Sequence, residues 1–423
     1  MTSKIVVNNI EPDAGISTVT VVGNVESTKF VGAVEGSVTG NVTGNVTGSS
    51  GSCTGNAATA TVASGITTTA SLNTSGIVTA TAFVPTTGQL SNRNIFINGA
   101  MTVAQRGTSS TTNGFGTVDR FEVEYTGTDE APTQAQVDVS AGTTPYTNGF
   151  RKAFKITNGN QTGGAGASDR IRYRYKFEAQ DIANSGWNYT SASSFVTLSF
   201  WIKSSVAQNF YGAFLTMDGS QQEYSFETGS LSADTWTKVT KTIPGNSNLT
   251  FNNDNGHGLQ FNIFAFLGTN NTGSTTMNQW AAFNNSARTP DNTSTWYTTN
   301  DATLEITGMQ LEVGSVATPF EHRSIGDEML RCKRYFQPFI QYAEYVSGGT
   351  GNLGFPYTAF TVPMRASPTF VSDHESKSSN WSFTSMQVQG SDAYGYYAYA
   401  ISYNTTNSNY GYMRKYGQAS AEL

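Results

Sequence analysis

The chain has 423 residues and a formal net charge of −6. Only 13% of residues are charged, against about 25% in an ordinary soluble protein. With no basic stretch, nucleic acid binding has no electrostatic support, and no segment approaches the ~18 apolar residues that cross a membrane.

Abundant Gly, Thr, Ser, Asn and aromatic residues fit short β-strands joined by polar turns, and argue against a helical or α/β enzyme. Residues 1–90 are the poorest block, with six charges, no Trp, Tyr or Arg, and only Phe30 and Phe83 as aromatics. Lys4–Asn8 reads as a short apolar strand before a turn at Glu11-Pro12-Asp13. Nothing at the N-terminus has the apolar run of a signal peptide. Cys53 and Cys332 lie far apart and are expected to be free thiols of a chain made in a reducing cytoplasm.

From Gly36 to Gly48 the unit Gly-(Ser/Asn)-Val-Thr is written three times. As a helix it is poor. As a strand it places Val38, Val42 and Val46 with the glycines on one thin apolar face. One copy buries too little to offset the ordering of its backbone, about 1–2 kcal/mol per residue. Several copies meeting on a common axis can do so. The alternative is a flexible linker, which has no need to keep Val in phase.

Beyond Pro85–Gly88 the composition changes. Five of the six tryptophans fall between Ser91 and Arg323: Trp187, Trp201, Trp236, Trp280 and Trp296. Arg170–Phe177 alternates, with Ile171, Tyr173, Tyr175 and Phe177 on one face and Arg170, Arg172, Arg174 and Lys176 on the other. Phe195–Ile202, Trp236–Ile243, Leu259–Leu267 and Ala302–Val313 are further strands. Their spacing predicts a β-sandwich or jelly roll. Ser324–Phe336 is the one predicted helix. Ser324 is its N-cap, Asp327 and Glu328 sit at its start, Arg331, Lys333 and Arg334 at its end, and Met329, Leu330 and Cys332 form its apolar side. From Tyr335 to Leu423 the chain holds twelve of the 20 tyrosines.

Three motifs in this order carry a resemblance. NRNIFINGAMTVAQRGTS (Asn92–Ser109), followed by VDRF (Val118–Phe121), resembles the opening of a jelly-roll module of bacteriophage tail fibres. ITGMQLEVGSVATPFEHRSIGDEMLRCKRYF (Ile306–Phe336) resembles the end of that module and its following helix. FTVPMRASPTF (Phe360–Phe370) and the ending SAEL (Ser420–Leu423) resemble the distal tip of such receptor-binding fibres, common in phages of cyanobacteria and other marine bacteria. The resemblance covers roughly residues 91–423 and implies an all-β homotrimer carried in the virion. Its N-terminus would attach to the phage tail, baseplate or an adaptor protein, and its tip would meet a host glycan or lipopolysaccharide. The expected organisation is a virion-attachment segment (1–35), a thin trimeric β shaft (36–90), a carbohydrate-binding-like jelly roll (91–323), a connecting helix (324–336) and a small Tyr-rich β tip domain (337–423).

Sugar binding needs aromatic faces with polar neighbours. The loop aromatics Trp187, Trp280, Trp296, Tyr297 and Trp381 are candidates, with structural packing as the alternative. Trp201 and Trp236 sit in strand patterns and read as core. In DAYGYYAYAISY (Asp392–Tyr403), Tyr397 and Tyr399 share a strand face that Tyr394 and Tyr396 would extend through a bulge. This gives a recognition surface or, alternatively, an inter-subunit seam. No enzymatic activity is expected, because no spacing selects a carboxylate pair and His257, His322 and His374 have no nucleophile motif nearby. A depolymerase tailspike and a non-receptor structural fibre are the alternatives. Asn252–Gly258 lacks the alternating acids of a calcium loop and reads as a turn. A structural calcium is implied by the carbohydrate-binding resemblance alone, and no other cofactor is expected.

Overall fold

The computed structural model describes residues 91–423 apart from 346–350, 355–356, 378–380, 384–386 and 405–410. For Trp381 and Tyr399 it describes the backbone alone. Residues 80–423 form one compact unit. The attachment segment and the shaft valines Val38, Val42 and Val46 lie outside the described residues.

Two-residue alternation builds the first domain. Its strands are β1 (Ser109–Ser110), β2 (Phe121–Thr126), β3 (Thr133–Asp138), β4 (Lys152–Thr157), β5 (Arg170–Glu178), β6 (Phe195–Ser204), β7 (Asn209–Thr216), β8 (Gln222–Ser230), β9 (Thr237–Pro244), β10 (His257–Leu267), β11 (Trp280–Ala282) and β12 (Thr303–Val313). They form two antiparallel sheets, in the orders β1-β3-β4-β12-β6-β9 and β11-β8-β7-β10-β5-β2. On β5, Ile171, Tyr173, Tyr175 and Phe177 are buried as their period predicts. The basic positions form ion pairs with β2, Arg170 and Arg172 with Glu124 at 2.6 and 2.8 Å and Arg174 with Glu122 at 2.5 Å. The two sheets close on an aromatic core centred on Phe261 of β10. Its ring lies 5.4 Å from Phe96, 5.2 Å from Phe214 and 6.4 Å from Phe200 and Phe226. This all-β, jelly-roll-type sandwich agrees with the sequence expectation.

Three single-turn helices occupy connections: α1 (Thr144–Thr147), α2 (Ala179–Ala183) and α3 (Thr295–Thr298). The predicted helix is α4 (Ile325–Lys333). Ser324 caps it, its hydroxyl accepting from the Asp327 N–H at 3.2 Å. Cys332 is a free, buried thiol, whereas Leu330 is exposed rather than on the apolar side.

The tip is a second, smaller pair of sheets. Its strands are β13 (Phe336–Tyr345), β14 (Gly351–Gly354), β15 (Thr358–Ala359), β16 (Thr369–Lys377), β17 (Trp381–Phe383), β18 (Gln387–Ser391), β19 (Gly395–Asn404) and β20 (Gly411–Ser420). One sheet runs β13-β20-β16, and the other gathers β14, β15, β17 and β18 around β19. Between them, Tyr396 of β19 meets Phe339 at 5.2 Å, Phe370 at 5.1 Å and Phe360 at 5.7 Å. Its hydroxyl donates to Gln341 at 2.7 Å.

Sandwich and tip are joined through buried charge. Arg120, next to β2, pairs with Glu422 beyond β20, and Arg106 reaches the same carboxylate at 3.0 Å. The Arg120 guanidinium lies 3.5 Å from the Tyr335 ring centroid and donates to the Lys176 carbonyl at 2.6 Å. Glu178 of β5 accepts from Arg334 twice at 2.8 Å and from the Tyr335 hydroxyl at 2.6 Å. Arg365 donates to the Ala421 carbonyl at 2.8 Å and to the Asn255 carbonyl at 2.7 Å.

Phe261→Ala should cost about 3–5 kcal/mol, read as a lower denaturant midpoint. At Glu178 burial works against the carboxylate, but hydrogen bonds from Arg334 and Tyr335 outweigh it and hold its pKa below the usual range. A carboxylate depressed in the fold contributes stability above its unfolded pKa of about 4.3 and loses it as pH falls through the folded value. Glu178→Gln is therefore expected to lower stability by about 1–3 kcal/mol at pH 7. The difference from wild type should shrink steadily below about pH 4 in thermal unfolding, because wild-type Glu178 then takes up a proton.

Candidate receptor-contact surface

The loop aromatics that the sequence offered as ligand platforms are core residues. Trp187, Trp280, Trp296 and Tyr297 are all buried. Their polar atoms are spent on the fold. The indole N–H groups donate to the carbonyls of Ser194 (3.3 Å), Pro244 (2.8 Å) and Thr303 (3.0 Å), and the Tyr297 hydroxyl donates to Asp169 at 2.9 Å. A ring enclosed in this way has no face for a sugar, so the expectation is corrected for these four. The strand tryptophans Trp201 and Trp236, read as core, are instead only partly buried, against a satellite cluster around Phe150.

On the tip, β19 decides the outcome by parity. Tyr396 is fully buried and Tyr397 is 46% exposed. The two lie on opposite faces, so the expected bulge that would align them is absent from β19, and Tyr396 is corrected to core. Tyr394 stands before the strand at 66% exposure. Trp381 is paired with Asn404, and Tyr399 with Gly354 and Gln387.

The outward positions of β19 carry a second tyrosine that sequence pattern did not single out. Tyr357, 51% exposed, lies over Gly395: a Cβ there would come within 2.5 Å of Tyr357 Cζ. Tyr397 lies over Gly390 of β18 in the same manner, where a Cβ would meet its Cζ at 2.6 Å. Gly395 and Tyr397, two residues apart, point to the same outer face. Two rings are thus held against bare backbone, each with its remaining surface towards solvent.

Asp392 fixes the first ring. Its carboxylate accepts from the N–H groups of Tyr394 at 2.8 Å and Gly395 at 2.9 Å and from the Tyr357 hydroxyl at 3.1 Å. The two main-chain donors hold its pKa below the usual range. The Tyr357 phenol is pushed up, by desolvation and by its bond to Asp392. The arrangement combines half-exposed aromatic rings with a pre-oriented carboxylate, the elements that stack on and hydrogen-bond a pyranose. Cross-strand glycines facing aromatics are the signal that could have revealed Tyr357, and it becomes readable only once β15, β18 and β19 are paired.

The other tip sheet exposes Ile340, Tyr342, Val371 and Tyr412. Arg414 lies 5.0 Å from the Tyr342 ring and 5.7 Å from that of Tyr412. In Asn252–Gly258, read from the sequence as a turn, Asp254 accepts from the Gly256 N–H at 2.9 Å. Among the described residues no cluster of three or more His, Cys, Asp or Glu is placed to hold a metal.

No family model and no curated protein matches this chain. Similar solved structures include the enzymatically active domain of bacteriophage CBA120 tailspike protein 4, at 8% identity over 52% of this chain and 21% of that one, with a TM-score of 0.28. The N-terminal cellulose-binding domain of Cellulomonas fimi β-1,4-glucanase C is 11% identical over 51% of this chain and 99% of its own, with a TM-score of 0.24. A family 30 carbohydrate-binding module is 12% identical over 56% of this chain and 94% of its own, with a TM-score of 0.26. This chain therefore spans only about a fifth of the tailspike structure it matches.

Asp392→Asn should keep the turn and lower the Tyr357 phenol pKa, measured as an earlier rise of phenolate absorbance than in wild type with Tyr357→Phe as the blank.

Proposed function

We propose that the protein is a virion tail fibre that adsorbs to host cells by binding surface glycan through its tip. The observation that carries this reading is the outer face of β19, where Tyr357 and Tyr397 are seated on glycines beside Asp392. The ordered motifs of residues 91–423 support it, since they resemble phage receptor-binding fibres. Binding without chemistry suits this surface, which offers stacking and hydrogen bonds around a single carboxylate. Assembly as a homotrimer, with the N-terminal segment on the tail, baseplate or an adaptor, is supported by the in-phase valines of 36–48. The apolar outer face carrying Ile340 and Val371 points the same way. Three tips on one particle raise avidity where each contact is weak.

Two substitutions test the reading. Tyr357→Ala and Tyr397→Ala should each lower binding of the purified chain to susceptible cells by about tenfold or more. Thermal stability should stay near wild type, since both rings are half-exposed. Unchanged cell binding in the double variant would sink the proposal, and release of reducing ends from host polysaccharide would replace it with depolymerase activity. Light scattering of the same sample reads the oligomer, with a mass of three chains expected.

A further inference from the structure

A cleft of about 470 Å³ opens between the Asn92–Ile97 segment, α2 and α4, within the range of small-molecule sites, about 300–1,000 Å³. Its lining divides by chemistry. Ile95, Ile97 and Val313 are apolar side chains of the lining. Polar side chains stand around it: Asp181 and Asn184 from α2 and the residue following it, Arg331 from α4, and Arg334 just beyond.

The bonds within the cleft leave capacity on both sides. Arg334 uses two N–H groups on Glu178. Arg331 uses one on Asp327 at 3.3 Å and one on Asn92 at 3.1 Å. A guanidinium has five N–H donors, so Arg331 retains three beyond these bonds, and Arg334, which also bonds the Tyr335 side chain, retains fewer. The Asp181 carboxylate accepts no hydrogen bond from any described residue. It is reached by solvent, yet desolvation in the cleft and the neighbouring Glu178 push its pKa up to about 6.

Charge narrows the ligand. Arg334 is matched by Glu178, Arg331 by Asp327 and Arg93, also in the lining, by Glu312, which leaves Asp181 as the surplus. An anion would meet that carboxylate, so a neutral molecule that both donates and accepts is favoured. We propose that this cleft is a second binding site, taking a neutral hexopyranose whose ring rests on Ile95, Ile97 and Val313. Its hydroxyls donate to Asp181 and accept from Arg331 and Arg334. Asn184, already bonded to Gln180 and Asn253, fixes the rim on the α2 side.

The experiment is saturation-transfer NMR on the full chain with glucose, galactose and mannose in turn, alongside galacturonate and glucosamine. With the tip rings removed by Tyr357→Ala and Tyr397→Ala, transfer to at least one neutral hexose is still expected, and in that background Asp181→Asn and Arg331→Ala each raise Kd tenfold or more. Arg331 belongs to an exposed i,i+4 pair that contributes little to stability, and Asp181→Asn keeps the shape, so both variants should fold. Absence of transfer from all three hexoses, an unchanged Kd in both cleft variants, or preference for galacturonate or glucosamine would overturn the proposal. Because the cleft is read with the tip rings removed, failure of the adsorption reading and failure of the cleft are distinguishable.

Discussion

Arg120 is 1% exposed and sits where water cannot answer its charge. Its backbone is in the left-handed region at φ 71°, which costs an L-residue roughly 1–2 kcal/mol. The charge is answered from later in the sequence, where Glu422 supplies the counter-charge and Tyr335 the ring beneath the guanidinium. A buried charge deprived of its partner is strongly destabilising. The Val118–Phe121 motif is therefore complete only when α4 and the segment after β20 have docked. Asp119 does the same for the opening segment, accepting from the Gln105 N–H at 3.0 Å while Gln105 donates to the Phe336 carbonyl at 3.0 Å. Asn98 adds its amide to the carbonyls of Val103 and Asp119, at 2.9 Å each. The stretches that carry the phage-fibre resemblance thus converge on one cluster of contacts.

This explains what the sequence could and could not reveal. Period-two patterns on β5 and β9 announce strands directly, because the side chains on one face must meet a core, and the apolar, aromatic runs of β6 and β10 read as strands buried on both faces. The same period cannot say whether an aromatic in a connection turns outward or folds back. Trp187, Trp280 and Trp296 fold back, each with its N–H on a main-chain carbonyl. That pairing joins residues 7 to 36 positions apart, and composition has no record of it. Trp201 errs in the other direction, since a strand residue on the outer face of a sheet keeps part of its surface.

The tyrosine-rich stretch shows the limit more sharply. Tyr396 and Tyr397 are adjacent and chemically identical, and the pairing register of β19 alone sends one to the core and the other to solvent. Tyr357, isolated in sequence, joins Tyr397 on that outer surface because β15 pairs with β19 at Gly395. The candidate surface is a property of register and of glycine placement, so a list of aromatic residues contained its parts without its plan.

Rigidity links this plan to the proposed adhesion. A tyrosine offers a large amphipathic surface with only two side-chain torsions to freeze. Seating the ring on a glycine and tying its hydroxyl to Asp392 removes much of that freedom before any ligand arrives. Association then loses less to ordering at the contact. The charged junction extends this logic from the ring to the domain. With Glu422, Glu178 and Arg365 bridging sandwich and tip, the tip strands are held against β5 and the loop at Asn255 by bonds at several separate points. In the proposed fibre, a surface fixed in this way would turn each added contact into gain in effective concentration, where a loosely tethered one would spend it on reorientation.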